Sequence, residues 1–287
     1  MKIHHLNLCT LCPVGGRLVS AGPRSILEPG ELFVHALLVE TDKDGLVLVD
    51  TGMGLEDVRS PIRRLGASFV MFARPRLREE DTAARQVERL GFKRSDVRHI
   101  VVTHLDKDHA GGISDFPDAT VHVHRREHAA AMRSATSLER VHYRKAHLVP
   151  GPKWSLHDGG GDSWFGFESL RVIAEDVLLV PLPGHTRGHS GVAVRTGDRA
   201  GPEFLLHCGD AYFFHLEKDD PECCPPALKH FQARTAVDDA ARRANAKRIR
   251  ELYRQYGGIV RPFSAHCPHE FRALADVERD RSGRLPS

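Results

Sequence analysis

Cysteine is scarce in this chain: six residues in 287, too few and too scattered for a disulfide framework in a protein of this length. Cys9 and Cys12 have the spacing of half a zinc site or of a redox pair. No second C-x-x-C follows and no thioredoxin-like βαβ pattern surrounds them, so they read as ordinary thiols. Long apolar runs are also missing. No stretch reaches the roughly 20 residues needed to cross a bilayer. The N-terminus, MKIHHLNLCT, lacks the apolar segment behind a basic start that marks a secretory signal, so residence in the cytoplasm is expected. Neither sign of charge dominates: 41 Lys and Arg against 38 Asp and Glu leave +3, which makes no case for nucleic acid or for an anionic membrane. Aromatics make up only 7%, and no basic stripe interleaves with them as nucleic-acid binding would require. There is no internal repeat and no low-complexity linker.

What remains is the composition of a globular protein, 41% hydrophobic and 28% charged, long enough to bury a core unaided. Residues 31–40 and 46–50 read as two strands joined by the hairpin residues of 41–45. The second ends in the sharp turn Asp50-Thr51-Gly52. Residues 53–78, with two prolines and six arginines, read as irregular: a docked surface loop in preference to a substrate clamp. Residues 81–90 form an amphipathic helix with Asp81 as its N-cap and Gly91 as its stop. Residues 98–103 form a short buried strand. A strand at 120–124 and a helix at 125–132 follow. The segment 134–165, holding both tryptophans and the run Gly159-Gly160-Gly161, is the candidate for a pocket-shaping insertion. Strands recur at 169–173, 177–182, 191–195 and 203–208. A long helix is expected over 235–256, a last strand over 258–265 and a final helix over 270–280. This alternation predicts an α/β fold, a four-layer αββα sandwich of two mixed sheets flanked by helices, with 1–287 as one domain.

The 19 histidines are the unusual feature, and several stand where strands end. His104-Leu105-Asp106-Lys107-Asp108-His109 follows the buried strand 98–103 and places four metal-type ligands within six positions. Where a strand curls into a loop, His104 and Asp106 share one side. Asp108 and His109 then turn toward a neighbouring position, with Gly111 and Gly112 letting the backbone bend behind them. Pro183-Gly184-His185-Thr186-Arg187-Gly188-His189 follows another strand. Its rigid turn suits His185 as a ligand, with His189 supporting from behind. Gly209-Asp210 and Ala265-His266 end two further apolar strands, and a carboxylate at 210 can hold two cations. One metal needs three or four protein ligands, so a set this large implies two.

These motifs resemble those of the metallo-β-lactamase fold superfamily: H-x-H-x-D-H, then P-G-H-T-x-G-H, then G-D, then a late histidine, with an early D-T-G turn. The resemblance runs from about Phe33 to His266 and is nearest to the lactonase and glyoxalase II branches. It implies one metal held by His104, Asp106 and His185, a second by Asp108, His109 and His266, and Asp210 bridging them, with Asp50 orienting a ligand imidazole. Two departures stand out. The family's second histidine is Asp106 here, a harder and anionic ligand. It tilts the site from zinc toward iron or manganese, lowers its net charge by one and weakens its Lewis acidity. Lactonases carry a tyrosine three residues after the bridging aspartate, where this chain has Phe213 beside Tyr212. These two residues are therefore the expected substrate-pocket contacts of that segment.

The resemblance implies a dinuclear, metal-dependent hydrolase, with zinc as the leading metal. A hydroxide bridging the metals would attack a lactone, ester or thioester carbonyl, and Asp108 would carry the proton to the leaving group. The expected partner is a small-molecule substrate, with no nucleic acid and no membrane; self-association into a homo-oligomer stays open. The alternatives are a phosphodiesterase on the same scaffold and a redox diiron protein, which Asp106 permits.

Overall fold

The computed structural model describes residues 1–20, 25–148, 151–173, 176–197 and 201–282. Its framework is two six-stranded sheets. The first is built, in spatial order, from β1 (Lys2–Leu11), β2 (Leu32–Glu40), β3 (Leu46–Val49), β4 (Val97–Val101), β5 (Thr120–His124) and β6 (Lys153–His157). The strands β1 to β3 pair antiparallel, and β3 to β6 run parallel. The second sheet is ordered β12 (Val260–Phe263), β11 (Phe204–His207), β10 (Ser190–Arg195), β9 (Val177–Pro181), β8 (Phe167–Ile173) and β7 (Asp162–Trp164). Only β11 and β12 pair parallel in it.

Strand β3 shows why the sheets stack. All four of its residues are buried, and their alternation sends them to opposite faces. Val47 and Val49 join Leu37, Val101, Leu179, Val192 and Phe263 in the core between the sheets. Leu46 and Leu48 face the other way and pack with Val87 of α4 (Ala83–Arg89) and Ala130 of α6 (Arg125–Arg133). On the far side of the second sheet, Leu178, Val180 and Leu206 pack against Ile249 and Leu252 of α9 (Asp239–Tyr256). The layers are helix, sheet, sheet, helix, as the alternation predicts.

The direction of the strands then places the loops. Strands β3 and β4 are parallel neighbours, and β9 and β11 both run antiparallel to β10, with β12 parallel to β11. Their C-terminal ends therefore open together at one end of the sandwich, where Asp50, the 104–109 loop, His185, Asp210 and His266 emerge.

Four local expectations are corrected. Strand β1 was not anticipated; its alternating burial, with His4, Leu6 and Leu8 inside, is a half-buried edge pattern. Residues 53–78 are not irregular: they hold α1 (Leu55–Arg59), α2 (Pro61–Leu65) and α3 (Ala67–Ala73). The N-cap before Ala83 is Thr82, whose side chain accepts from Arg85 N, and Asp81 ends a 3-10 turn instead. The helix expected from 235 begins at Asp239, capped by Asp238, while Thr235 closes a separate helix, α8 (Pro226–Thr235). The segment 134–165 supplies α7 (Ser137–His142) and the edge strands β6 and β7, one to each sheet.

Candidate metal centre

The seven side chains singled out as ligands come together at this end of the sandwich. Ligand atoms of His104, Asp106 and His185 lie within 4.8 Å of one another, as do those of Asp108, His109 and His266, and those of His104, His109 and Asp210. Asp210 stands between the two halves. Its Oδ2 faces His104 Nε2 at 3.9 Å and His185 Nε2 at 3.4 Å, and its Oδ1 faces His109 Nε2 at 3.1 Å and His266 Nε2 at 3.2 Å. One carboxylate therefore presents one oxygen to each half. Asp106 Oδ2 completes one side, 3.2 Å from His185 Nε2 and 3.6 Å from His104 Nε2. Asp108 Oδ2 flanks the other, 3.8 Å from His266 Nε2.

A ring of buried hydrogen bonds aims these groups. Asp50 Oδ2 accepts from His109 Nδ1 at 2.8 Å, while Asp50 also accepts from Thr103 N at 2.7 Å and Thr103 Oγ1 at 2.8 Å. Asp50 sits at φ 59°, a left-handed conformation that costs a non-glycine residue free energy and marks a turn held by its surroundings. His266 Nδ1 donates to Phe33 O at 2.7 Å. His189 Nδ1 donates to Leu182 O at 3.0 Å, and its Nε2 accepts from Asp210 N at 2.9 Å. That imidazole is thus neutral and holds the backbone of Asp210. Gly209 precedes Asp210 at φ +51°, where a Cβ would lie 2.5 Å from His189 Nε2, so the approach of the two loops requires glycine.

Two supporting residues escaped the sequence reading. Glu127, at the start of α6, accepts from Leu105 N at 3.0 Å, Thr186 Oγ1 at 2.7 Å and Gly188 N at 3.0 Å, tying the 104–109 and 185–189 loops together. His142, at the end of α7, donates from Nε2 to Thr235 O at 2.8 Å and faces Asp106 Oδ2 through Nδ1 at 2.5 Å. A carbonyl and a carboxylate both only accept, so both ring nitrogens carry protons. Burial pulls this imidazole toward neutrality, but the Asp106 carboxylate overrides it and raises the pKa to about 9. The pair Asp106–His142 therefore carries no net charge. The extra negative charge expected from Asp106 is cancelled by a histidine that no local motif announces, 36 residues away in sequence.

The donor set fits divalent metal. His104 Nε2, His109 Nε2, Asp106 Oδ1 and Asp210 Oδ1 are buried without a hydrogen-bond partner, and polar atoms are not left so in a folded interior without a reason. Burial would push the Asp210 carboxyl up, but His266, His109, His185 and His104 hold it well below the usual carboxylate range. Burial likewise favours neutral His109, while Asp210 and Asp50 raise it well above the ordinary histidine value. Cations are what this cluster of carboxylates and imidazoles attracts, and metal would displace those protons.

The centre forms the floor of a cavity of about 540 Å³. Its walls are mostly apolar: Leu65, Phe69 and Phe72 come from α2 and α3, Leu138 and Val141 from α7, and Phe231 from α8. The 53–78 segment is thus a wall of the site and not a loop docked elsewhere. Phe213 lines the cavity, its ring centroid 4.6 Å from that of His266. Tyr212 does not: its hydroxyl donates to Glu270 Oε1 at 3.1 Å inside the core under α9. A larger cleft of about 910 Å³, lined by Arg126, Arg133 and Arg187, holds none of the seven and meets the centre only through chain neighbours of His185. Cys9 and Cys12 are buried free thiols.

Comparison with known proteins agrees with this geometry. The family model of the metallo-β-lactamase superfamily matches residues 29–222. A protein of Mycobacterium tuberculosis named as a probable metallo-hydrolase is 40% identical over 280 residues, covering 96% of this chain and 84% of its own. An N-acyl homoserine lactonase of a Bacillus species is 31% identical over 184 residues, 63% of this chain and 66% of its own. Among solved structures, an N-acyl homoserine lactone hydrolase with N-hexanoyl-L-homoserine at its catalytic metal centre shares the fold at a TM-score of 0.69 and 24% identity, over 95% of each chain. A dizinc quorum-quenching lactonase aligns at a TM-score of 0.56 and 18% identity, over 93% of this chain and 85% of its own. Four strand ends that bring metal-type side chains to one point, a family domain matched over residues 29–222 and a 40% identical probable metallo-hydrolase lead to one conclusion: the chain belongs to the metallo-β-lactamase superfamily and is a metal-dependent hydrolase.

Proposed function

We propose that this enzyme opens a lactone, or cleaves a closely related ester or thioester, in a small molecule with an apolar tail. The observation that carries the reading is the position of the seven-ligand centre at the floor of a largely apolar cavity. The lactonase names among its relatives support it. His104, Asp106 and His185 would hold one divalent ion and Asp108, His109 and His266 a second, with Asp210 shared. Zinc is the leading metal, and the carboxylate of Asp106 also suits iron or manganese. Bound there, such ions supply a Lewis acid and water activated at neutral pH.

The remaining work falls to the chain. Asp50, Thr103, His189 and Glu127 hold the ligand loops in place before substrate arrives, which avoids the cost of ordering them during reaction. Leu65, Phe69, Phe72, Val141 and Phe231 take the apolar tail and exclude water. Asp108, at the cavity wall, passes a proton to the departing oxygen or sulfur. Phe213 offers no hydroxyl, so no phenol from this segment contacts the substrate carbonyl.

The test is a turnover screen of purified, metal-loaded protein against alkyl-substituted γ-lactones, acyl thioesters and phosphodiesters. Turnover of lactones with kcat/KM rising along the alkyl series is expected. Phosphodiester cleavage with inert lactones would overturn the proposal.

A further inference from the structure

Lys107 lies between two ligands of the centre, Asp106 and Asp108, yet its side chain belongs to the cavity wall. The residue is only 6% exposed. Its ammonium stands 4.9 Å from the centroid of the Phe69 ring, which lines the same cavity. Among the described residues it makes no hydrogen bond and no ion pair; the carboxylates on either side of it are turned to His142, His185 and His266. The face of Phe69 attracts a cation but accepts none of its three N–H donors in full. A lysine so buried is normally paired.

Two further cations line the cavity, and both are hydrogen-bonded within the protein. Arg140 donates to Ser134 O, Ala135 O and Ser137 Oγ, and Arg144 to Arg63 O and Arg64 O. Nor do the nearby carboxylates need Lys107 for balance. Asp106 Oδ2 already faces His142 and His185, and two divalent ions bound at the centre would more than offset its three carboxylates.

We infer that Lys107 is a specificity-determining residue that pairs with an anionic group carried by the substrate itself, so that the enzyme selects an apolar molecule bearing a carboxylate or phosphate near the scissile bond. The inference rests on the cavity being the substrate site proposed above. Phe69 holds the ammonium against the wall, and the apolar lining strengthens the pairing by excluding water. A neutral amphiphile of the same length leaves the ammonium desolvated and unpaired.

The experiment measures binding to the metal-loaded protein by calorimetry with three probes: decane-1-sulfonate, decan-1-ol and inorganic sulfate. The sulfonate is a poor metal ligand and reports the cavity cation. Wild type is expected to bind decane-1-sulfonate about 10-fold or more tighter than decan-1-ol and to bind sulfate far more weakly than either. Lys107→Met, which keeps the unbranched apolar stem and removes the ammonium, is expected to erase the preference, and Lys107→Arg to retain most of it. Metal content and circular dichroism of each variant confirm that it is folded and loaded.

Equal binding of sulfonate and alcohol by wild type overturns the inference. So does a preference that survives in Lys107→Met, or a Lys107→Met loss that falls equally on both probes, which marks packing alone. Sulfate binding as tightly as the sulfonate assigns the lysine to a free anion and overturns it too. The lactone screen is read separately: inert lactones with the probe preference intact refute the proposed reaction and leave Lys107's role standing.

Discussion

Replacing His142 by alanine removes the partner of a proposed metal ligand without touching the ligand itself. The lost contact is a charge-assisted bond of 2.5 Å to Asp106 Oδ2, made by a ring anchored at 2.8 Å on Thr235 O. Deleting an outer partner of this kind typically costs about 10–100-fold in metal affinity, or about 1.4–2.7 kcal/mol. The same pair should set a pH dependence in metal-free protein. His142 is raised from 6.5 to about 9, so its contribution is complete below pH 6.5 and is lost as pH rises through 9. Asp106 is held well below its ordinary 3.8, so its contribution is complete above 3.8 and is lost in acid. Both shifts describe one interaction, counted once, which is strongest between pH 3.8 and 6.5 and worth up to about 3 kcal/mol. The assays are chelator competition for metal affinity and urea unfolding of metal-free wild type and His142→Ala across pH 5 to 10. The stability gap should close between about pH 6.5 and 9. Wild-type metal affinity in the variant, together with a pH-independent gap, would remove His142 from any role at the centre.

Asp210→Asn should lower metal content at both positions and reduce turnover more than His189→Ala, because Asp210 presents an oxygen to each half of the centre; elemental analysis beside kinetics decides, and an Asp210→Asn protein that keeps its metal and its rate is the contrary result. Asp106→His should shift metal preference toward zinc, since imidazole is the softer ligand; a zinc-versus-manganese competition that is unchanged would remove Asp106 from the ligand set. Glu127→Gln should cost about 1–3 kcal/mol of stability, because one of its three buried bonds, from Leu105 N, Thr186 Oγ1 or Gly188 N, must then face an N–H; thermal unfolding reads the loss, and an unchanged Tm would show that the two loops do not depend on it.

How much of this was legible beforehand follows from how local each signal is. Strands β4, β9, β11 and β12 are short and bounded by turn residues, and each leads into a candidate ligand motif. Their existence and their cargo are written in consecutive residues. Strand β1 was missed because an edge strand of mixed polarity has a weak alternation. The three short helices of 53–78 were missed because none is long enough to show a helical period, and α3 has no buried residue by which to recognise one face. Thr235 and Asp239 looked like one helix because the break between them is only an N-cap at Asp238.

Residue type and spacing along the chain were enough for the layered α/β architecture, for seven candidate metal-ligating side chains and for the metallo-β-lactamase resemblance. Which oxygen of Asp210 faces which half of the centre, that Tyr212 turns into the core while Phe213 lines the cavity, and that α3 walls the site emerge from the folded chain alone. It alone brought His142 to Asp106, Glu127 between two loops and Lys107 to an apolar wall. Charge balance and hydrogen-bond satisfaction are set by distances in space between residues far apart in sequence, and no pattern of neighbours along the chain encodes them.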